Sequence, residues 1–302
     1  MFPGMDNYNA LSYLIPSNDL PVERRDGTPF TFTLYNTIQK RVYRNVRSCA
    51  ILPIPPTHDL TICAYVSPFN PIEELYHWVA YYQLHNVTKF ILYLGEEYPE
   101  VIDAMKEYVK RDIVEFIDWT WPTAGVVWKK TPQRERQASQ AMACFYRYRW
   151  VTNYMIQCDL DEYVFANGSK RGLLIPIQEA FARWPGKNAL LLNSYFFFNR
   201  ERHWNNRVAL WNNGSFFSYN NLRCREAYSG KKKLILRSSF SGAIGLHFTI
   251  WDIHVPLSKN DTLTIAHFKR NMYFSDHVVD NTMAPYDPPV HSQYVQLKTM
   301  NQ

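Results

Sequence analysis

The sequence predicts an α/β fold: a mostly parallel central sheet flanked by helices, followed by a more irregular second half. Three observations carry this. Short runs rich in β-branched and aromatic residues recur over 60–66, 89–94, 113–117 and 154–165. Between them, apolar residues repeat at helical spacing over 71–82, 99–110 and 132–150, so strands and helices alternate as in a parallel sheet with right-handed crossovers. Past Gly168 the alternation gives way to one helix over 173–184, a strand over 189–198, and short strands over 208–210, 216–219, 233–236, 244–248 and 263–268.

Residues 1–57 are rich in Pro, Asn and turn formers and hold two short strands, 30–35 and 42–51; they read as an N-terminal extension packed on the main domain. The first sheet strand runs into Ser67-Pro68-Phe69-Asn70-Pro71, which stops it and starts a helix, because proline early in a helix has no amide to leave unsatisfied. Ile72, Leu75, Tyr76, Val79 and Tyr82 then share a helical stripe, and Val101, Ile102, Met105, Tyr108 and Val109 repeat it. A loop with Trp119, Trp121 and Trp128 precedes the helix that feeds 154–165. The main domain is thus 58–285, in a front half (58–168) and a back half (169–285), and 286–302 is a C-terminal tail.

A hydrophobic fraction of 46% with 20% charged residues suits a globular core. The net charge of +6 has no basic block beyond Lys231, Lys232 and Lys233, which argues against nucleic acid as the principal partner. Aromatic residues make up 16%, and such rings suit both cores and the flat faces of sugars. Cys49, Cys63, Cys144, Cys158 and Cys224 form no CxxC pair, so a zinc site is not expected, and the odd count leaves one thiol over if disulfides form. No window approaches the roughly 18–20 apolar residues of a membrane span, and the first thirty residues lack a signal-peptide core. Membrane attachment would need an anchor absent from this chain. Acceptor sequons at Asn86, Asn167, Asn213 and Asn260 permit a life in the secretory pathway.

The chemistry concentrates at Asp159-Leu160-Asp161-Glu162, on an apolar strand. Side chains alternate along an extended chain, so Asp159 and Asp161 point one way while Leu160 and Glu162 point the other. Like charges so close repel, and a divalent cation is the usual remedy. Mg²⁺ and Mn²⁺ take carboxylate oxygens and bridge to phosphate, which suggests a nucleotide-diphosphate substrate beyond the carboxyl end of the strand. A solvated acidic turn is the plain alternative for the tripeptide alone.

With its flanks, the motif resembles glycosyltransferase family 92. Gln137, Gln140, Cys144 and Trp150 precede Asp159-Leu160-Asp161-Glu162-Tyr163 as in that family. Glu74-Leu75-Tyr76-His77-Trp78-Val79-Ala80-Tyr81-Tyr82 and Val87-Thr88-Lys89-Phe90-Ile91-Leu92-Tyr93 are similar to its first helix and second strand. Lys233-Leu234-Ile235-Leu236-Arg237, Gly245-Leu246-His247-Phe248 and His267-Phe268-Lys269 resemble later elements, in the right order. Two departures stand out: Lys269 replaces the family's arginine, and 198–206 replaces a Phe-Gly-rich segment.

The resemblance implies a GT-A type nucleotide-sugar-binding fold, with 58–168 on the donor side and 169–285 on the acceptor side. It implies transfer with inversion of a sugar, galactose from UDP-galactose, to a glycan or glycoprotein acceptor in the Golgi lumen. The expected metal ligands are Asp159, Asp161 and His267; a nitrogen ligand tilts the ion toward Mn²⁺, with Mg²⁺ the alternative. Donor-binding candidates are Ser67, Glu162, Lys233, Arg237, His247 and Lys269. Inversion needs a general base, and Glu201, Glu226, Asp252 and Asp276 all qualify, with spacing choosing none. Two rivals stand beside this reading. A haloacid-dehalogenase type phosphatase would want its acidic motif on the first strand, and a carbohydrate-binding or degenerate transferase-like protein would keep the pocket without turnover.

Overall fold

The computed structural model describes residues 30–36, 40–48, 55–67, 70–95, 98–119, 133–166, 172–199, 207–228, 231–240, 244, 254–257, 262–268 and 276–300. Strands β1 (Phe30–Asn36) and β2 (Arg41–Ser48) pair as a separate antiparallel hairpin. The parallel core follows: β3 (His58–Val66), α1 (Ile72–Leu84), β4 (Lys89–Leu94), two short helices α2 (Pro99–Ala104) and α3 (Lys106–Lys110), β5 (Val114–Asp118), α4 (Gln133–Tyr148) and β6 (Thr152–Gln157). These four strands lie parallel in the order β6-β3-β4-β5, as the alternating pattern predicts.

After β6 come β7 (Glu162–Ala166), α5 (Leu174–Arg183), β8 (Ala189–Leu192), β9 (Ser194–Phe198), α6 (Arg207–Asn213), α7 (Phe216–Tyr219), β10 (Leu222–Cys224), β11 (Lys233–Arg237), β12 (His254–Pro256), β13 (Leu263–His267), β14 (His277–Val279) and α8 (Asp287–Met300). They complete a seven-stranded sheet ordered β12-β8-β11-β6-β3-β4-β5 and build a five-stranded one ordered β14-β10-β9-β13-β7. The strand expected over 154–165 is therefore two strands in two sheets, and so is the one over 189–198, which breaks at Asn193.

Alternation along the large sheet shows on both faces. Cys63, Tyr65, Ile91, Tyr93, Met155, Leu191 and Leu234 pack under Cys144, Phe145 and Tyr148 of α4. Their neighbours Ile62, Ala64, Phe90, Leu92, Ile156 and Ile235 face the core shared with α1, α5 and the smaller sheet. A disulfide between Cys63 of β3 and Cys144 of α4 fastens the first of these layers, and Cys158 and Cys224 are buried free thiols. Cys49 lies outside the described residues.

Two expectations change, and a third lies almost wholly outside the described residues. Residues 208–210 and 216–219 are helical, because Arg207, Leu210 and Trp211 bury one helical face and Asp287 accepts the amides of Phe217 and Ser218 at 2.8 and 2.7 Å, capping α7. The tail is a helix, α8, that buries Val290, Tyr294 and Leu297 and packs on α1. Of the strand expected over 244–248, only Ile244 is described. Among the described residues, no helix is long and apolar enough to cross a membrane.

Cys63 and Cys144 are 81 residues apart, so their link closes a long loop in the unfolded chain. The double variant C63S/C144S is expected to lose about 2–4 kcal/mol in urea unfolding; an unchanged midpoint would show that the bond contributes nothing.

Candidate active site

The chain leaves β6 at Gln157, turns through Cys158–Asp161, and enters β7 at Glu162, crossing from the large sheet to the small one at the carboxyl edge of the parallel strands. The turn is closed reciprocally: Glu162 donates its amide to the Asp159 carbonyl at 3.1 Å, and Asp159 donates its amide to Glu162 Oε2 at 2.9 Å. Strict alternation therefore fails here. Glu162 folds back beside the aspartates instead of facing away from them.

Two strands deliver the partners. Lys233 opens β11, the neighbour of β6, and sets its ammonium 2.8 Å from Asp159 Oδ2 and 3.2 Å from Glu162 Oε2. His267 closes β13 directly opposite Glu162, with Nδ1 3.4 Å from Glu162 Oε1 and Nε2 3.3 Å from Asp161 Oδ2. Exposure divides the cluster. The side chains of Glu162, Lys233 and His267 are 0, 2 and 4% exposed, whereas Asp159 and Asp161 keep 28 and 26% and face the outside.

Burial drives Glu162 up to about 7, against the pull of Lys233. Burial alone would raise Asp161 as well, but the adjacent His267 holds it well below the usual carboxylate range. For His267 and Lys233, burial works downward and is outweighed by the carboxylates beside them, so both sit above their ordinary values.

The rest of the scaffold comes from α1. β7 is an edge strand, and its outward backbone groups need partners. Trp78 donates its indole N–H to the Glu162 carbonyl at 3.2 Å, the Tyr82 hydroxyl donates to that carbonyl at 3.1 Å and accepts the Val164 amide at 2.9 Å, and Tyr81 donates to the Val164 carbonyl at 2.7 Å. Arg207 adds a second tie, donating to Glu74 at 2.7 Å and to the Phe268 carbonyl, while the Phe268 amide donates to the Asp161 carbonyl at 2.8 Å.

Asp161, Glu162 and His267 each offer a ligand atom, all within 4.8 Å of one another. Glu162 Oε1 and His267 Nδ1 are buried without a hydrogen-bond partner. Two carboxylates and an imidazole, with donor atoms left over, fit a divalent ion such as Mn²⁺.

The model of glycosyltransferase family 92 matches residues 58–290. The chain belongs to glycosyltransferase family 92. That membership brings the GT-A type fold, and the α/β sheet with its acidic turn at the carboxyl edge agrees with it. No curated protein matches the sequence. Among solved structures, glucosyl-3-phosphoglycerate synthase from Mycobacterium tuberculosis, in complex with Mn²⁺, UDP and glucosyl-3-phosphoglycerate, is similar at 9% identity over 81% of this chain and 80% of that one, with a TM-score of 0.30. A putative glucose-1-phosphate thymidylyltransferase from Bacillus anthracis is similar at 15% identity with a TM-score of 0.29. There the match covers 48% of this chain and 57% of the other.

In this family 92 chain the structure brings Asp161, Glu162 and His267 together and sets Asp159 against Lys233. Lys233, expected at donor phosphates, is engaged by the two carboxylates. Arg237 closes the other end of β11, about 13 Å of strand away, where it lies 4.4 Å over the Phe181 ring; the structure does not bring it to the cluster. Ser67 lies just past β3 on the site edge, its amide on Asn70 Oδ1 at 3.0 Å, and Asn70 reaches Glu74 at 2.7 Å. His247, Lys269, Glu201 and Asp252 lie outside the described residues. Glu226 and Asp276 are both exposed, and Asp276 accepts from Arg225 at 2.8 Å.

The Glu74–Arg207 pair went unread as a site feature. Glu73 and Glu74 open α1 as an ordinary acidic first turn, and the partner of Glu74 lies 133 residues on.

Lys233→Met would leave Glu162 buried without its cation. A loss of about 3–5 kcal/mol is expected in denaturant unfolding, and K233M/E162L should recover much of it. Equal stability of K233M and wild type would mean that the ion pair holds nothing.

Proposed function

We propose that this protein is a metal-dependent, inverting glycosyltransferase that moves galactose from UDP-galactose to a glycan or glycoprotein acceptor in the Golgi lumen. The observation that carries the reading is the Asp161–Glu162–His267 cluster, on the carboxyl edge of the sheet in a chain of this family. The Cys63–Cys144 disulfide and the sequons favour an oxidising, secretory compartment.

Asp161, Glu162 and His267 would hold the ion, which when bound supplies positive charge against the departing diphosphate. Asp161, on the exposed side of the cluster, is the member a donor meets first. Lys233 pairs with the Asp159 and Glu162 carboxylates and fixes their positions. Inversion also needs a base to take the acceptor hydroxyl proton. Of the four candidates we take Glu226 forward: it stands on the loop whose Tyr228 amide donates to the Ser194 carbonyl (2.9 Å) of β9, the strand beside β13.

Calorimetric titration of UDP-galactose with Mn²⁺, then with a chelator, tests the donor and the metal together. Wild type should bind only with the ion and D161N not at all; retained binding in D161N would reject the metal role. E226Q should keep donor binding while transfer falls by 100-fold or more. Full turnover by E226Q would move the base to Glu201 or Asp252.

A further inference from the structure

The five-stranded sheet carries a row of side chains outward from the acidic turn. Glu162 on β7 is paired with His267 on β13, and His267 with Phe196 on β9. The Phe196 ring lies 4.7 Å from the His267 ring. The next position is taken by the loop leaving β10, where the Tyr228 ring meets Phe196 edge-on at 5.2 Å and stays 44% exposed. Adjacent strands are about 4.8 Å apart, so the row places Tyr228 about two strand spacings, roughly 10 Å, from His267.

This loop is anchored. The Tyr228 amide donates to Ser194 at 2.9 Å, and the buried Cys224 thiol accepts the Phe196 amide at 3.3 Å and donates to the Glu226 carbonyl at 3.0 Å. Arg225 is fixed by Asp276 at 2.8 Å. A large aromatic held in water by a rigid loop, two residues from an exposed carboxylate, has the makings of a sugar platform: its face covers the C–H face of a pyranose while the acid reaches a hydroxyl.

We propose that Tyr228 is the platform of an acceptor subsite, stacking on the pyranose ring of the incoming glycan and setting its hydroxyl toward Glu226. The proposal rests on the transferase reading for the word acceptor, but sugar binding at Tyr228 can be tested without turnover.

Saturation-transfer NMR with oligosaccharides ending in galactose, N-acetylglucosamine or fucose, in the absence of nucleotide, compares wild type, Y228F and Y228A. Thermal midpoints confirm that the variants fold. Y228F should bind as wild type, because the ring remains, and Y228A should lose tenfold or more in glycan affinity while binding UDP with Mn²⁺ as wild type does. Equal glycan affinity in Y228A, or no glycan contact by wild type, overturns the proposal. Glycan binding that depends on Tyr228 in a protein that binds no UDP would support the subsite and reject the transferase reading.

Discussion

A carboxylate shut away from water, Glu162, sits where the two sheets join, and much of the site follows from that. An isolated buried charge is costly, so it has to be met by partners of opposite sign and by hydrogen bonds. Lys233 comes from the large sheet and His267 from the small one, and both close on Glu162. The group that would destabilise either sheet alone thereby becomes the staple between them. It also orients the residues around it, since Asp159 shares Lys233 and Asp161 shares His267.

Around that staple the structure is stiff on one side and open on the other. The aromatic face of α1 satisfies the backbone of β7 with hydroxyl and indole donors, so the acidic turn cannot shift without leaving buried carbonyls unpaired. His77 belongs to the same layer: it bonds the Tyr163 hydroxyl at 2.9 Å, and burial pushes it down to about 3, which keeps it neutral. The open side carries the two aspartates, Asp159 and Asp161. Rigid support beneath an exposed rim is what a preorganised polar site requires.

The order of elements was legible where the physics is local. Strand length, helical period and the proline signals gave β3 through β6 nearly as they stand, and the resemblance grouped Asp159, Asp161 and His267 before any geometry. What failed was non-local. The run 154–165 reads as one strand because nothing in it announces a change of sheet, and alternation then sends Glu162 the wrong way. Residues 208–210 and 216–219 are too short for their period to separate helix from strand. Arg237 looked equivalent to Lys233 because four residues of strand hide a difference of edge.

The sequence by itself determined the α/β class, the parallel core and the place of the acidic motif, because each depends on periodicities and neighbours within a few residues; the family came from the resemblance of its motifs in their order. Only the tertiary structure decided that Glu162 joins Asp161 and His267, that Lys233 serves carboxylates, that Cys63 meets Cys144, and that Tyr228 ends the row. Each of these rests on which strands lie side by side. Hydrogen-bond register across a sheet brings together residues tens of positions apart, and nothing in the local pattern of either strand records it.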